Sequence, residues 1–163
     1  YELNLILSYI TIQQIRFEER LDYREQVPDG LKNALIPPLT LQPLVENAFI
    51  HGLELKNGLK WIMITCSVNG ETLYVEVKDN GLGIEAERLK ELSGDIMDFA
   101  TKEIGTEKSG MGSGKSIGLK NVNKRLFLSY GASGCLQIIS EPGKGTSVSF
   151  RIEIEKEEGD GGF

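Results

Sequence analysis

Apolar residues near the start of the chain recur at helical spacing. Leu3, Ile6, Ile10 and Phe17 fall on one stripe, and Leu5, Tyr9 and Ile12 form a second beside it, so the pattern predicts a helix over residues 2–19. One stripe suffices to dock a helix on a domain. Two point to a helix pinned between neighbours, as in a helical hairpin or dimer bundle; a core helix of the same domain is the alternative. Residues 20–27 read as a short strand ending at the turn signal Pro28-Asp29-Gly30. Pro37-Pro38 then breaks the chain before a helix over about residues 40–53, with Thr40 in the capping position and Gly52 near its end.

Strict alternation takes over next. Ile62, Ile64, Cys66 and Val68 mark a strand over 61–68, Leu73, Val75 and Val77 another over 73–79, and Asn69-Gly70 marks the hairpin turn between them. A short helix over about 86–93 leads into a Gly- and Ser-rich stretch from Ser93 to Ser116. It is too long for an ordinary connection and reads as a functional lid or a disordered loop. A helix over 117–130 precedes two strands, 135–140 and 146–155. The last places Val148, Phe150, Ile152 and Ile154 on one face and Ser147, Ser149, Arg151 and Glu153 on the other. Residues 156–163 read as a solvated tail. Helices grouped between runs of strands predict an α+β fold, a two-layer sandwich in which one mixed sheet is covered by helices on one face.

Composition narrows the function classes. The 163 residues, 40% hydrophobic and 26% charged, suit one globular domain with an appendage. A net charge of -6 without a basic stripe argues against a nucleic-acid partner. No apolar run approaches the roughly 20 residues of a membrane helix, so membrane contact by this chain is not expected. With no signal peptide and no initiator Met, the chain reads as part of something longer. Cys66 and Cys135 sit in strand-like segments without metal spacing and read as free thiols of a reducing cytoplasm.

Candidate chemistry lies in a few short segments. Asp79 ends an apolar strand, pointing to the core side, where an unpaired charge is costly. An adenine exocyclic amine would partner it and a guanine carbonyl would be repelled; a plain cap of the Asn80-Gly81 turn is the competing reading. Gly81 and Gly83 let backbone approach a flat ligand, with Ile84 as an apolar floor. Asn47 offers a neutral amide oxygen that can complete the coordination of a Mg²⁺ already held by phosphates. His51 shares its helix face, as a ligand contact or as a structural imidazole. Gly114-Lys115-Ser116 matches the end of a P-loop, but Ser109 replaces the first glycine and the preceding residues are polar rather than a buried strand. A lid end donating N–H groups to phosphates at the start of the 117–130 helix accounts for the same residues. Thr146, after Gly143-Lys144-Gly145, reads either as a turn residue or as a hydroxyl beside Asp79 on an adjacent strand.

In this order, the Asn-bearing helix, Asp-x-Gly-x-Gly, glycine-rich lid, Gly-Leu helix and Gly-Thr strand resemble the ATP-binding domain shared by sensor histidine kinases, gyrase-type topoisomerases, heat-shock chaperones and mismatch-repair ATPases. Leu41-Gln42-Pro43-Leu44-Val45-Glu46-Asn47-Ala48 with His51-Gly52, and Ile117-Gly118-Leu119-Lys120-Asn121-Val122 with Arg125-Leu126, resemble one histidine-kinase subfamily, in which a phosphoacceptor helix bearing Asn-Pro-His-Phe lies upstream. The resemblance implies a Bergerat-type ATP-binding fold over residues 21–155 with its lid at about 93–116. Residues 1–20 would be the end of the dimerisation and phosphoacceptor hairpin. It also implies ATP and Mg²⁺ as cofactors, with Asn47 as metal ligand and Asp79 as adenine reader. Gly81 and Gly83 would shape the base pocket, Ile84 and Leu119 would line it, and Gly114, Lys115 and Gly118 would lie at the phosphate end. Thr146 would stand near the base, and His51 where many relatives place an aromatic. The implied partners are the parent's phosphoacceptor hairpin and a downstream response regulator. The parent would be a membrane-bound homodimer with this portion in the cytoplasm.

Three departures bear on the chemistry. Ile50 stands where many relatives carry a phosphate-contacting lysine, leaving Lys115, Lys120 and Arg125 as substitutes. Ser116 replaces a glycine two residues before Gly118. Pro43 stands where hydrolytic relatives carry a water-activating Glu. Transfer to an imidazole needs positioning and charge neutralisation more than a base, whereas hydrolysis needs an oriented water. Pro43 cannot orient one, although Glu46 can, so the expectation is a histidine kinase using Glu46 and Asn47. A stand-alone ATPase or chaperone-like module and a non-catalytic nucleotide-sensing domain are the alternatives.

Overall fold

The computed structural model describes residues 2–101 and 116–154. In chain order these form α1 (Glu2–Phe17), β1 (Leu21–Gln26), α2 (Leu41–Asn47), β2 (Lys60–Asn69), β3 (Thr72–Asp79), α3 (Ala86–Thr101), α4 (Ile117–Tyr130), β4 (Gln137–Glu141) and β5 (Gly145–Glu153). The strands make one mixed sheet of order β1-β2-β3-β5-β4. β1 pairs parallel with β2, which requires a crossover between them, and α2 supplies it. The other pairs are antiparallel. Alternation does what it predicts: Ile62, Ile64, Leu73, Val75, Val77, Val148, Phe150 and Ile152 are buried beneath the helices. Residues between them, such as Trp61, Met63, Glu76 and Ser147, face the other side and are only partly covered. The α+β sandwich with an N-terminal helix is therefore the observed fold.

One stripe of α1 enters the core through Ile6, Ile10 and Phe17. Of the second stripe, Tyr9 packs edge-on against Phe49 with ring centroids 5.5 Å apart, while Ile12 remains 63% exposed. Phe17 stacks on the same Phe49 at 6.3 Å, so a single aromatic of the next helical segment holds both ends of the contact.

The start of α2 departs from expectation. Thr40 does not cap it, because its own backbone is already helical (φ -93°, ψ -52°) and its hydroxyl donates instead to the Pro37 carbonyl at 2.6 Å. The cap comes from 38 residues away in sequence. The Glu2 carboxylate accepts N–H bonds from Thr40 at 2.9 Å and from Leu41 at 2.6 Å. An anion facing the free N–H groups of a first turn is favourable on both hydrogen-bonding and dipole grounds.

Two further boundaries move. The lid expected over 93–116 cannot begin at Ser93, because α3 continues to Thr101. Leu92, Ile96 and Ala100 form a helical stripe whose last two members are buried, and this packing outweighs the local cost of Gly94. Residues 102–115 lie outside the described residues. The β2–β3 connection has Gly70 and Glu71 as its two central residues, with Asn69 paired to Thr72 and Gly70 at φ +63°. Behind α3, Asn123 of α4 is fully buried. Its amide nitrogen donates to the Ile96 carbonyl at 3.3 Å and its oxygen accepts from Leu136 N–H at 2.7 Å, tying α3, α4 and the approach to β4 together. Cys66 and Cys135 are free, with burial pushing both thiols up.

Replacing Glu2 by Ala should lower unfolding stability by about 1–2 kcal/mol, the usual worth of a helix cap with charge-assisted bonds. Urea denaturation with an unchanged m-value checks it; a loss below about 0.3 kcal/mol would show that solvent satisfies those N–H groups equally well.

Candidate functional site

Asp79 sits at the C-terminal end of β3, on the helix-covered face, and is only 3% exposed. No cation pairs with it directly among the described residues. Its Oδ1 accepts the Gly81 N–H at 2.7 Å, and Thr146, paired opposite it on β5, donates its backbone N–H. Burial pushes its carboxyl up from 3.8 to about 6, against those two N–H bonds and the more distant Lys56 charge, which all favour the anion. The turn-cap reading and the ligand reading of Asp79 are thus compatible: its two N–H bonds leave lone pairs of the carboxylate for a further donor.

Glycines keep that carboxylate approachable. A Cβ on Gly81 would stand 2.4 Å from the Gly52 backbone and 2.6 Å from Asp79 Oδ1, and one on Gly52 would stand 2.8 Å from the same oxygen. The two backbones therefore touch over Asp79, locked by the Leu82 N–H to Gly52 carbonyl bond at 3.1 Å. Gly52 reaches this position because α2 loosens after Asn47 into a π-helical turn over Ala48–Leu53, marked by the Glu54 N–H bond to the Phe49 carbonyl at 2.8 Å. Gly83, at φ +72°, abuts the Glu141 carbonyl, so it too serves close backbone approach. Asn80 anchors the same turn to β2, accepting the Trp61 N–H at 2.7 Å.

In front of this turn two cavities meet at Asn47 and His51. One, of about 300 Å³, is lined by Gly83, Ile84, Glu85, Arg88, Leu92 and Ser116 as well. The other, of about 420 Å³, is completed by Pro43, Glu46, Ile50, Gly118 and Leu119. Ile84 and Leu119 were expected to line one pocket; they fall on opposite sides of the Asn47–His51 pair, Ile84 beside the Asp79 turn and Leu119 beside the start of α4. Gly118 makes only ordinary contact with Pro43, so steric need does not explain glycine there. Glu46 lines the larger cavity, its Oε1 accepting from the Gln42 amide at 2.8 Å. Gly114 and Lys115 lie outside the described residues. Of the cations offered to replace a lysine at Ile50, Lys120 lies 3.6 Å from Asp95 and Arg125 donates to the Pro38 carbonyl. Neither lines the cavities, but Arg88 does.

Thr146, 8% exposed, does stand beside Asp79, as adjacent-strand placement predicts. Its hydroxyl lies 2.8 Å from that of Ser140 on β4. Arg88 and Ser140 carry no motif, and helical or strand alternation alone could not have flagged them. Among the described residues no group of three or more His, Cys, Asp or Glu could hold a metal ion. No described helix is long and apolar enough to cross a membrane.

Stability should report on Asp79 before any ligand is added. Between pH 3.8 and about 6 the folded protein holds a proton that the unfolded chain has released, so stability falls as pH rises through that window. Above it, the buried anion costs of order 2–3 kcal/mol. Asp79→Asn keeps an acceptor for Gly81 and Thr146 while removing the charge. It should therefore melt higher than the parent at pH 7.5, with the advantage gone at pH 4; a lower melting temperature at both pH values would contradict this. Gly81→Ala should destabilise by about 2–4 kcal/mol, since backbone rather than a movable side chain lies in the way.

A family profile described as "Histidine kinase-, DNA gyrase B-, and HSP90-like ATPase" matches residues 37–156. The chain is 36% identical over 160 residues to YwpD of Bacillus subtilis, covering 98% of this chain and 51% of that protein. It is 35% identical over 151 residues to the sensor protein LytS of Bacillus anthracis, and 35% over 156 to the sensor histidine kinase YesM of B. subtilis. These alignments cover 93% and 96% of this chain but 24% of each relative. Thus the chain spans about half of YwpD and about a quarter of the two sensor proteins. In fold it is similar to the histidine kinase domain of the Escherichia coli osmosensor EnvZ, with TM-score 0.56, 20% identity, and 99% of this chain and 91% of that one covered. The histidine kinase domain of the Erythrobacter litoralis EL346 blue-light activated kinase gives TM-score 0.56 at 18% identity, with 88% and 56% covered. With the buried carboxylate behind its glycine turn and the asparagine helix facing it, the chain belongs to the histidine kinase, DNA gyrase B and HSP90-like ATPase family, and is an ATP-binding domain of that family.

Proposed function

We propose that this domain is the catalytic part of a two-component sensor histidine kinase, which binds Mg·ATP and presents its γ-phosphoryl group to a histidine outside the chain. The observation that carries the reading is the separation of chemistries along one cleft. On one side of the Asn47 amide is the turn that covers the buried acceptor Asp79, whose Gly83 and Ile84 line the first cavity; on the other, a glutamate and a helix start line the second. An adenine amine suits the Asp79 carboxylate, and Ile84 supplies an apolar floor beside it. Thr146 stands at the base end, and His51 lies between base and phosphates. Gly118 lines the cavity assigned to the phosphates, and the resemblance assigns Gly114 and Lys115 to that end; Arg88, on the wall of the adjoining cavity, is the cation offered in place of the lysine missing at Ile50.

Asn47 is the residue that would hold Mg²⁺. A single neutral oxygen cannot retain a bare divalent ion, but it suits one whose charge the phosphates already neutralise. Bound there, the metal would screen the phosphate charge that otherwise repels an incoming nucleophile. Asn47 would fix where that charge sits, and the residues lining the two cavities would hold the triphosphate for an incoming imidazole. Positioning of this kind suffices because an unprotonated imidazole nitrogen needs no base. Pro43, beside Asn47, offers no group to orient water.

The remaining assignments follow from the same reading. Residues 1–20 would be the end of a dimerisation hairpin, a reading supported by the docking of α1 on Phe49 through Tyr9 and Phe17. The partners would be the phosphoacceptor hairpin of a homodimeric parent and a response regulator, and the domain would work in the cytoplasm. Glu46 supports a second reading, a hydrolytic module of the same fold, because it lines the cavity next to Asn47.

Calorimetry tests the division of labour. Asp79→Asn should weaken ATP by ~1–3 kcal/mol, the cost of one mismatched buried polar pair. Asn47→Ala should leave adenosine binding intact and abolish the benefit of Mg²⁺; equal losses of adenosine and Mg·ATP would refute that split. Incubated with labelled ATP, the chain should acquire no label at His51 and should label an added phosphoacceptor hairpin. Steady phosphate release that disappears in Glu46→Gln would favour the hydrolytic module instead.

A further inference from the structure

Ser140, near the C-terminal end of β4, concentrates three polar contacts on one oxygen. It accepts the Ile84 N–H at 2.9 Å, it donates to the Gly145 carbonyl at 2.9 Å, and it lies 2.8 Å from Thr146 Oγ1. A serine hydroxyl has a single proton. The Ile84 amide can only donate and the Gly145 carbonyl can only accept, so with the Ser140 proton on Gly145 the remaining bond runs from Thr146 to Ser140. The strand register aligns the three side chains. Asp79 is opposite Thr146, and Thr146 is opposite Ser140, a row across β3, β5 and β4 on the helix-covered face. Glycine at 145, with φ +108°, lets β5 press against the Asp79 carbonyl and keeps the row close.

We propose that Ser140 is a positioning residue for nucleobase selectivity: by taking the Thr146 proton it leaves Thr146 with lone pairs only, so that Thr146 and Asp79 together form an acceptor-only wall. Such a wall selects a purine whose six-position carries a donor amine and rejects one whose six-position is a carbonyl. The inference rests on the nucleotide reading above, and it adds to Asp79 a second, neutral acceptor whose polarity is set one strand away. Ser140 itself touches no base. It acts through Thr146, and through Ile84, whose backbone it pins at the wall of the cavity shared with Asn47 and His51.

The test compares ATP with ITP, which replaces the amine by a carbonyl, by titration calorimetry on the full chain. The parent should prefer ATP. In Ser140→Ala the Thr146 hydroxyl is free to turn its proton toward the carbonyl, so the ATP-to-ITP affinity ratio should fall by about tenfold, in the range expected when a buried hydrogen-bond mismatch is relieved. Ser140→Thr retains the hydroxyl and should restore the ratio. A purely structural role would weaken both nucleotides alike, and an unchanged ratio in folded Ser140→Ala overturns the proposal. Should that variant not fold, Thr146→Val decides instead: loss of the acceptor must also lower the ratio, and an unchanged ratio overturns the proposal. A parent chain that binds neither nucleotide would overturn the nucleotide reading itself, and this inference with it.

Discussion

The whole site depends on one costly feature, a carboxylate buried at the end of a sheet strand and answered only by backbone N–H groups. Asp79 lacks an ion-pair partner among the described residues, and its raised pKa records the expense. What makes it tolerable is geometry. Gly81 folds back to donate to it, Thr146 donates from the neighbouring strand, and Gly52 comes within van der Waals reach from a helix. A preorganised carboxylate with lone pairs left over from its two N–H bonds is a natural receptor for a donor-bearing base, because binding adds a bond rather than displacing an existing one.

That constraint propagates outward. Gly52 can meet Gly81 only because α2 relaxes into a π-helical turn after Asn47, so the residue proposed to hold metal lies just where the helix changes its winding. Local π-geometry of this kind is frequent at functional sites, where an altered bond pattern redirects side chains. The same segment presents Phe49 inward to receive Tyr9 and Phe17 of α1. α1 in return caps α2 through Glu2. The N-terminal helix and the asparagine helix therefore hold one another, and a shift of α1 would be felt within two turns of Asn47.

Polar groups inside this domain act as connectors rather than as isolated features. Asn123 links α3, α4 and the approach to β4; Asn80 links the site turn to β2; Ser140 links the turn to both C-terminal strands. Each saturates donors and acceptors of irregular backbone that could not otherwise be buried. Such bonds carry no periodicity. Alternation and helical spacing report which face of an element is apolar, and they are silent about a serine or asparagine that serves a loop distant in sequence.

Local information determined much of this protein. The alternation of β2, β3 and β5, the helix at 117–130, and the glycine turn that follows a buried Asp79 were all legible, because each depends on neighbours within a few residues. The end of α3 was not, since Ser93 and Gly94 look like loop until Ile96 and Ala100 are seen packed. Nor was the cap of α2, because Thr40 competes with a carboxylate 38 residues away that only the docking of α1 brings near. The same holds for the division of the cleft between Ile84 and Leu119, for Arg88 at its wall, and for the Asp79–Thr146–Ser140 row. Strand order and helix docking place these residues together, and those are set by the burial of a shared core rather than by any segment alone.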